Sequence, residues 1–115
     1  MIYRESREQQ ALFEWAAYHK ELKKMFHIPN GGKRNAREAA RFKLEGVKAG
    51  VPDIFLPVPK KKYHGLFIEL KAGKKGRVTD NQNEWLAYLA DKGYLTAVCY
   101  GWQEAKEVIT RYMGI

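Results

Sequence analysis

The sequence predicts an α/β fold, a mixed central β-sheet with helices on both faces, in one domain spanning residues 1–115. Three observations carry this. Apolar residues recur at helical spacing in four stretches, short β-branched and aromatic runs fall between them, and the resulting order α, β, α, β, β, α, β, α contains no repeat and no low-complexity linker. At 115 residues and 45% hydrophobic composition the chain buries one core and has no room for a second.

Leu12, Trp15, Ala16, His19 and Leu22 recur every three or four residues, which predicts a first helix over 5–24. The apolar run 25–29 predicts a short strand, ended by the turn residues Pro29, Asn30, Gly31 and Gly32. A second helix follows over 35–47, with Ala36, Ala39, Ala40 and Leu44 expected inward and Arg37, Arg41 and Lys43 outward. Two strands, 53–56 and 65–70, are expected to pair across the loop 57–64, whose two prolines and three lysines do not suit a central ladder. Thr79 and Asp80 offer an N-cap for a third helix, which runs to Lys92 and stops at Gly93. A strand over 95–100 and a helix over 103–112 complete the chain. Periodicity does not set the order of the strands in the sheet.

Lys and Arg number 21 against 13 Asp and Glu, a net +8 that attracts polyanions and makes nucleic acid the expected partner. The basic residues are scattered over loops and helices, so a cationic amphipathic membrane binder is disfavoured. The charged N-terminus and the lack of a long apolar stretch predict a soluble, cytoplasmic protein. Cys99, the single cysteine, forms neither an internal disulfide nor a cysteine-cluster zinc site and reads as a buried strand residue.

Several chemistries drop out. The only serine, Ser6, lies in a charged helix start, and residues 73–76 lack the spacing of a phosphate loop. His19, His27 and His64 are not spaced to share a helix face, so a histidine zinc site has little support. Trp15, Trp85 and Trp102 occupy helical core or cap positions and read as packing residues. What remains is a carboxylate pattern. In a strand, alternate residues share a face, so Glu69 and Lys71 point together while Ile68 and Leu70 point away. If the strand after Asp53 pairs alongside, the two carboxylates form a hard oxygen site suited to Mg²⁺, with Lys71 at hand to orient water or neutralise charge. The competing readings are a turn-capping Asp53 and an exposed charge pair on the strand. They are outweighed because Glu69 is flanked by Ile68 and Leu70, and a carboxylate in apolar surroundings needs a metal or a partner.

Residues 45–53 (EGVKAGVPD), the run Glu69-Leu70-Lys71 continuing to Gln82, and the front segment Glu5 to Trp15 resemble the VRR-NUC family of the PD-(D/E)xK nuclease superfamily over nearly the whole chain. That resemblance implies a restriction-endonuclease-like core and a Mg²⁺- or Mn²⁺-dependent DNA endonuclease. Asp53 and Glu69 would be metal ligands assisted by the carbonyl of Leu70, Lys71 the catalytic lysine, and Gln82 a residue orienting water or phosphate. A glutamate of the first helix would join them, with Glu5 and Glu8 both eligible. An acidic first turn also complements a helix dipole, so either glutamate alone has an ordinary structural explanation. Small members resemble Holliday junction resolvases and act as homodimers, which implies branched DNA as substrate. Asn30, Lys33, Arg34, Arg37, Arg41, Lys74, Lys75 and Arg77 are the expected DNA-backbone contacts, with Lys43 and Lys48 extending that surface and Lys60, Lys61 and Lys62 further cations on a loop that flanks the site in sequence. Two alternatives stand beside this reading, cleavage of flaps or linear duplex, and a non-catalytic basic DNA-binding module.

Overall fold

The structure, a computed structural model, describes residues 2–29, 35–74 and 76–115. Four helices, α1 (Ile2–Ala16), α2 (Ala36–Leu44), α3 (Asp80–Asp91) and α4 (Trp102–Met113), surround strands β1 (Phe26–His27), β2 (Ile54–Leu56), β3 (Leu66–Lys71) and β4 (Leu95–Tyr100). The sheet order is β1-β2-β3-β4, antiparallel for the first two pairs and parallel between β3 and β4. This is the mixed sheet that the element order predicts.

Alternation along the strands decides the layers. Ile54 and Leu56 of β2 and Leu66, Ile68 and Leu70 of β3 point to one face and bury against Leu12 and Ala16 of α1 and Ala105, Ile109 and Met113 of α4. Each fully buried aliphatic side chain contributes about 1.5 to 3 kcal/mol of transfer free energy. Phe67, Glu69 and Lys71 point to the opposite face, where α3 lies. The face that holds the polar residues is therefore the one with the thinner apolar cover.

Three expectations need correction. The first helix stops at Ala16, and residues 20–22 form a separate 3₁₀ turn, so Leu22 reaches the core from a different element. The chain bends at His19 because that residue adopts an extended backbone. The expected inward face of the second helix is not buried. Among the described residues α2 has no buried member, and Leu44 is 89% exposed, because α2 stands off the sheet instead of lying on it. The third correction concerns Lys60, Lys61 and Lys62, which sit at the turn of the β2–β3 hairpin, beyond Leu56 and Leu66. Five residues of strand separate Leu66 from Lys71, about 16 Å, so these lysines are remote from the acidic pattern.

Candidate metal and nuclease site

Asp53 lies one residue before β2, and continuing the Ile54–Ile68 register by one residue sets it opposite Glu69. Its Oδ2 accepts a 2.8 Å hydrogen bond from the Leu70 amide. The ladder between β2 and β3 ends at Ile54, so the Leu70 carbonyl also lies past it, on the Asp53 side. Glu69 and Lys71 emerge from β3 on the shared face and are only 2% and 6% exposed.

α3 completes the arrangement from above. Thr79 caps it through a reciprocal capping box with Gln82, whose backbone amide donates to Thr79 Oγ1 at 3.1 Å. The Gln82 Oε1 accepts from the Thr79 amide at 2.9 Å and from Lys71 Nζ at 3.0 Å, while its Nε2 donates to Glu69 Oε2 at 2.9 Å. A side-chain amide suits this position because its oxygen accepts from an ammonium while its nitrogen donates to a carboxylate. Lys71 Nζ stands 3.5 Å from the same Glu69 oxygen.

The electrostatics are those of a site short of positive charge. Glu69 is pushed up from an ordinary 4.5 to about 8, first by burial and then by the neighbouring Asp53 carboxylate, against the opposing pull of Lys71. Asp53 is raised too, chiefly by burial, although the Leu70 amide favours its charged form. Each carboxyl thus acts on the other, with Asp53 favouring the protonated form of Glu69. Glu69 Oε1 is buried with no donor from the protein. Two neighbouring carboxyls and an orphaned buried oxygen suit a divalent cation, whose charge would replace the proton that Glu69 otherwise holds. Among the described residues no three His, Cys, Asp or Glu side chains cluster as a ready-made cage. A Mg²⁺ site needs none, because such sites take one or two carboxylates and complete their shell with water and phosphate.

The structure separates the two first-helix glutamates. Glu5 borders the site: its carboxyl is raised by burial and feels both Lys71 and Asp53. Glu8, one helical turn on, points to α4, where its Oε1 accepts from the Trp102 amide at 2.8 Å. Gly101, the N-cap of α4, offers no side-chain cap, so Glu8 supplies it from another helix.

Of the expected DNA contacts, Asn30, Lys33, Arg34 and Lys75 lie outside the described residues. Lys74 and Arg77 are exposed in the turn that follows Lys71, beside Arg4, whose guanidinium approaches Gly73. Arg37 and Arg41 are exposed on α2, with Arg41 3.9 Å from Glu45. Sequence reading did not single out the groove of 670 Å³ between α2 and the start of α3, lined by Lys43, Lys48, Asn81 and Gln82 among others. Gln82 is common to this groove and to the Glu69–Lys71 cluster. No linear signal links residues 43–48 to 79–82, because the groove is made by Gly50 packing on Asn81.

The profile of the VRR-NUC domain matches residues 1–103. The chain belongs to the VRR-NUC family. A solved structure described as a VRR_NUC domain protein superposes with a TM-score of 0.85 at 32% identity, covering 96% of this chain and 88% of that one. Among curated proteins none matches the chain. Membership places this VRR-NUC chain among nucleases, and no helix of the described residues is long and apolar enough to cross a membrane.

Proposed function

We propose that this VRR-NUC domain is a Mg²⁺- or Mn²⁺-dependent endonuclease that hydrolyses DNA phosphodiester bonds at Asp53, Glu69 and Lys71. The observation that carries the reading is the buried Asp53–Glu69 pair, two carboxyls held in the protonated direction with Lys71 3.5 Å from Glu69. Asp53, Glu69 and the Leu70 carbonyl would hold the cation, with Glu5 at the border of its water shell. When bound, the cation supplies Lewis acidity to the phosphoryl oxygen and a lowered pKa to its water.

The protein's own groups do the rest. Asp53 is oriented by the Leu70 amide and Glu69 by Gln82, so both oxygens are fixed before substrate arrives. Lys71 is held by Gln82 with its ammonium directed at the acidic pair, where it can orient the attacking water and offset the charge that builds on the phosphate. Lys43 and Lys48 along the groove, Arg37 and Arg41 on α2, and Lys74 and Arg77 beyond β3 would grip the DNA backbone on either side.

Four-way junctions and a homodimeric assembly are the finer reading, supported by the family resemblance and by the two-fold symmetry that a two-site assembly shares with a junction. The deciding experiment is cleavage of labelled four-way junction and linear duplex of the same sequence, with Mg²⁺ or EDTA, by the wild type and Asp53→Asn. Metal-dependent junction cutting that disappears in the variant while binding persists is expected. Binding without cutting under any divalent metal would leave only a basic DNA-binding module. Equal cutting of linear duplex would remove the junction preference.

A further inference from the structure

One flank of α3 carries aromatic and basic residues that neither the core nor the acidic site uses. Asn81, Trp85, Tyr88 and Lys92 follow at helical spacing, so they fall in one stripe along the helix and its C-cap. The stripe starts at the groove between α2 and α3, because Asn81 lines that groove and packs on Gly50. Trp15 and Trp102 pack against the core, whereas Trp85 lies with Tyr88 and Glu84 around a surface cleft of 430 Å³. The expectation that Trp85 is a packing residue like the other two therefore does not hold. Its ring meets that of Tyr88 edge to face, 5.9 Å between centroids, and Tyr88 is 55% exposed. Lys92 Nζ stands 5.4 Å from the Tyr88 ring and 3.9 Å from Asp91, an exposed ion pair weak enough to exchange for a phosphate.

The groove at the head of the stripe has the same mixed character. Phe42 and Val47 form an apolar wall beside the exposed Lys43 and Lys48. Gln82 joins this groove to the acidic site, since the same side chain bonds both Glu69 and Lys71. From Asn81 to Lys92 the helix rises about 16 Å. Cations thus stand at both ends of the stripe, with aromatic rings between them. Duplex DNA presents phosphates and base edges and keeps its base faces stacked inside, so it leaves such rings without a partner. An unpaired strand offers base faces and phosphates together, the combination that aromatic side chains beside cations are suited to take. Glu84 repels phosphate from the outer side of the cleft, which favours a strand that turns its bases to Trp85 and Tyr88.

We propose that this stripe is a track for single-stranded DNA leading from Gln82, with bases stacking on Trp85 and Tyr88 and phosphates neutralised by Lys43, Lys48 and Lys92. The track rests on the DNA reading of the proposed function and deepens it by naming the substrate class, DNA with an unpaired stretch beside the scissile phosphate. A four-way junction meets that requirement only where pairs at its branch point open.

Fluorescence anisotropy in EDTA at matched salt tests it, with three labelled ligands of equal length: oligothymidylate, an abasic strand and a blunt duplex. The wild type is expected to bind oligothymidylate roughly fivefold or more tighter than the abasic strand, a comparison that involves no variant. Tyr88→Ala should weaken oligothymidylate by roughly fivefold or more while changing duplex binding less than about twofold. Tyr88→Phe should restore the affinity, and circular dichroism reports folding. Lys92→Gln should flatten the single-strand salt slope by roughly 0.7. Equal affinity for the abasic strand, unchanged oligothymidylate binding by folded Tyr88→Ala, or an equal loss on duplex would each overturn the track. Cleavage with Mg²⁺ is read separately: a protein that stacks the strand as expected and cuts no DNA keeps the track and loses the nuclease reading, and one that cuts while failing these binding tests keeps only the nuclease.

Discussion

Glu69 is the residue through which the site's chemistry and the stability of the fold are linked. The folded chain holds its proton up to about pH 8, whereas an unfolded glutamate releases it near 4.5. Folding stability from this group is therefore full below about pH 4.5 and is lost as the pH climbs towards 8. Thermal melts in EDTA should show the wild type losing more stability than Glu69→Gln across that window, and parallel slopes would contradict the assignment. A divalent cation competes with the same proton, so the melting-temperature rise on adding Mn²⁺ should grow with pH. Lys71→Ala is expected to lower kcat by a factor on the order of 10² to 10³, while the Mn²⁺-induced shift persists. Gln82→Ala, which frees both Glu69 and Lys71, should cost about 10- to 100-fold in activity or metal affinity. Single-turnover cleavage measures both.

At the scale of elements, two contacts hold the site in place. Glu8 caps α4 from α1, so Glu8→Ala should destabilise the fold by about 1 kcal/mol in urea titration and leave the metal-induced shift intact. Glu5→Gln should weaken the metal-induced shift instead, because Glu5 feels Lys71 and Asp53. Equal metal responses in the two variants would show that the assignment of the two glutamates is mistaken. Gly50 is the second contact. Its φ is +91°, and a Cβ there would stand 2.8 Å from the Asn81 backbone. Gly50→Ala therefore combines left-handed strain of about 1 to 2 kcal/mol with a clash that pushes the Asp53 lead-in away from α3. Loss of both stability and cleavage, measured together, is the expected outcome.

For the whole molecule, a net charge of +8 makes DNA affinity salt-dependent, and the distribution of that charge matters more than its sum. Lys43 and Lys48 line the groove that ends at Gln82, whereas Lys60 and Lys61 line a cleft at the far end of the hairpin with Tyr112. Replacing Lys43 and Lys48 by alanine should flatten the slope of log K against log salt by roughly 0.9 for each DNA phosphate that is no longer neutralised. Replacing Lys60 and Lys61 should change it less, and fluorescence anisotropy over a salt series separates the two pairs.

The strand assignments, the mixed sheet and the Asp53, Glu69 and Lys71 pattern were legible in the sequence, because alternation and turn residues are local properties that tertiary packing amplified. Thr79 and Asp80 were likewise readable as a helix start, whereas the reciprocal capping box with Gln82 came from the structure. The fate of α2 was not, since its alanine-rich spacing is the same whether a sheet lies beneath it or solvent does. Nor could spacing assign different duties to Glu5 and Glu8, which sit one turn apart on one helix. The long-range partners Asp53 and Lys71 on one side, and Trp102 on the other, made that distinction. What the sequence determined by itself is the chemistry on offer, because that depends on residue type and period. Only the tertiary structure decided which carboxyls burial and each other's charge push towards the protonated form, because that depends on contacts between segments far apart in the chain.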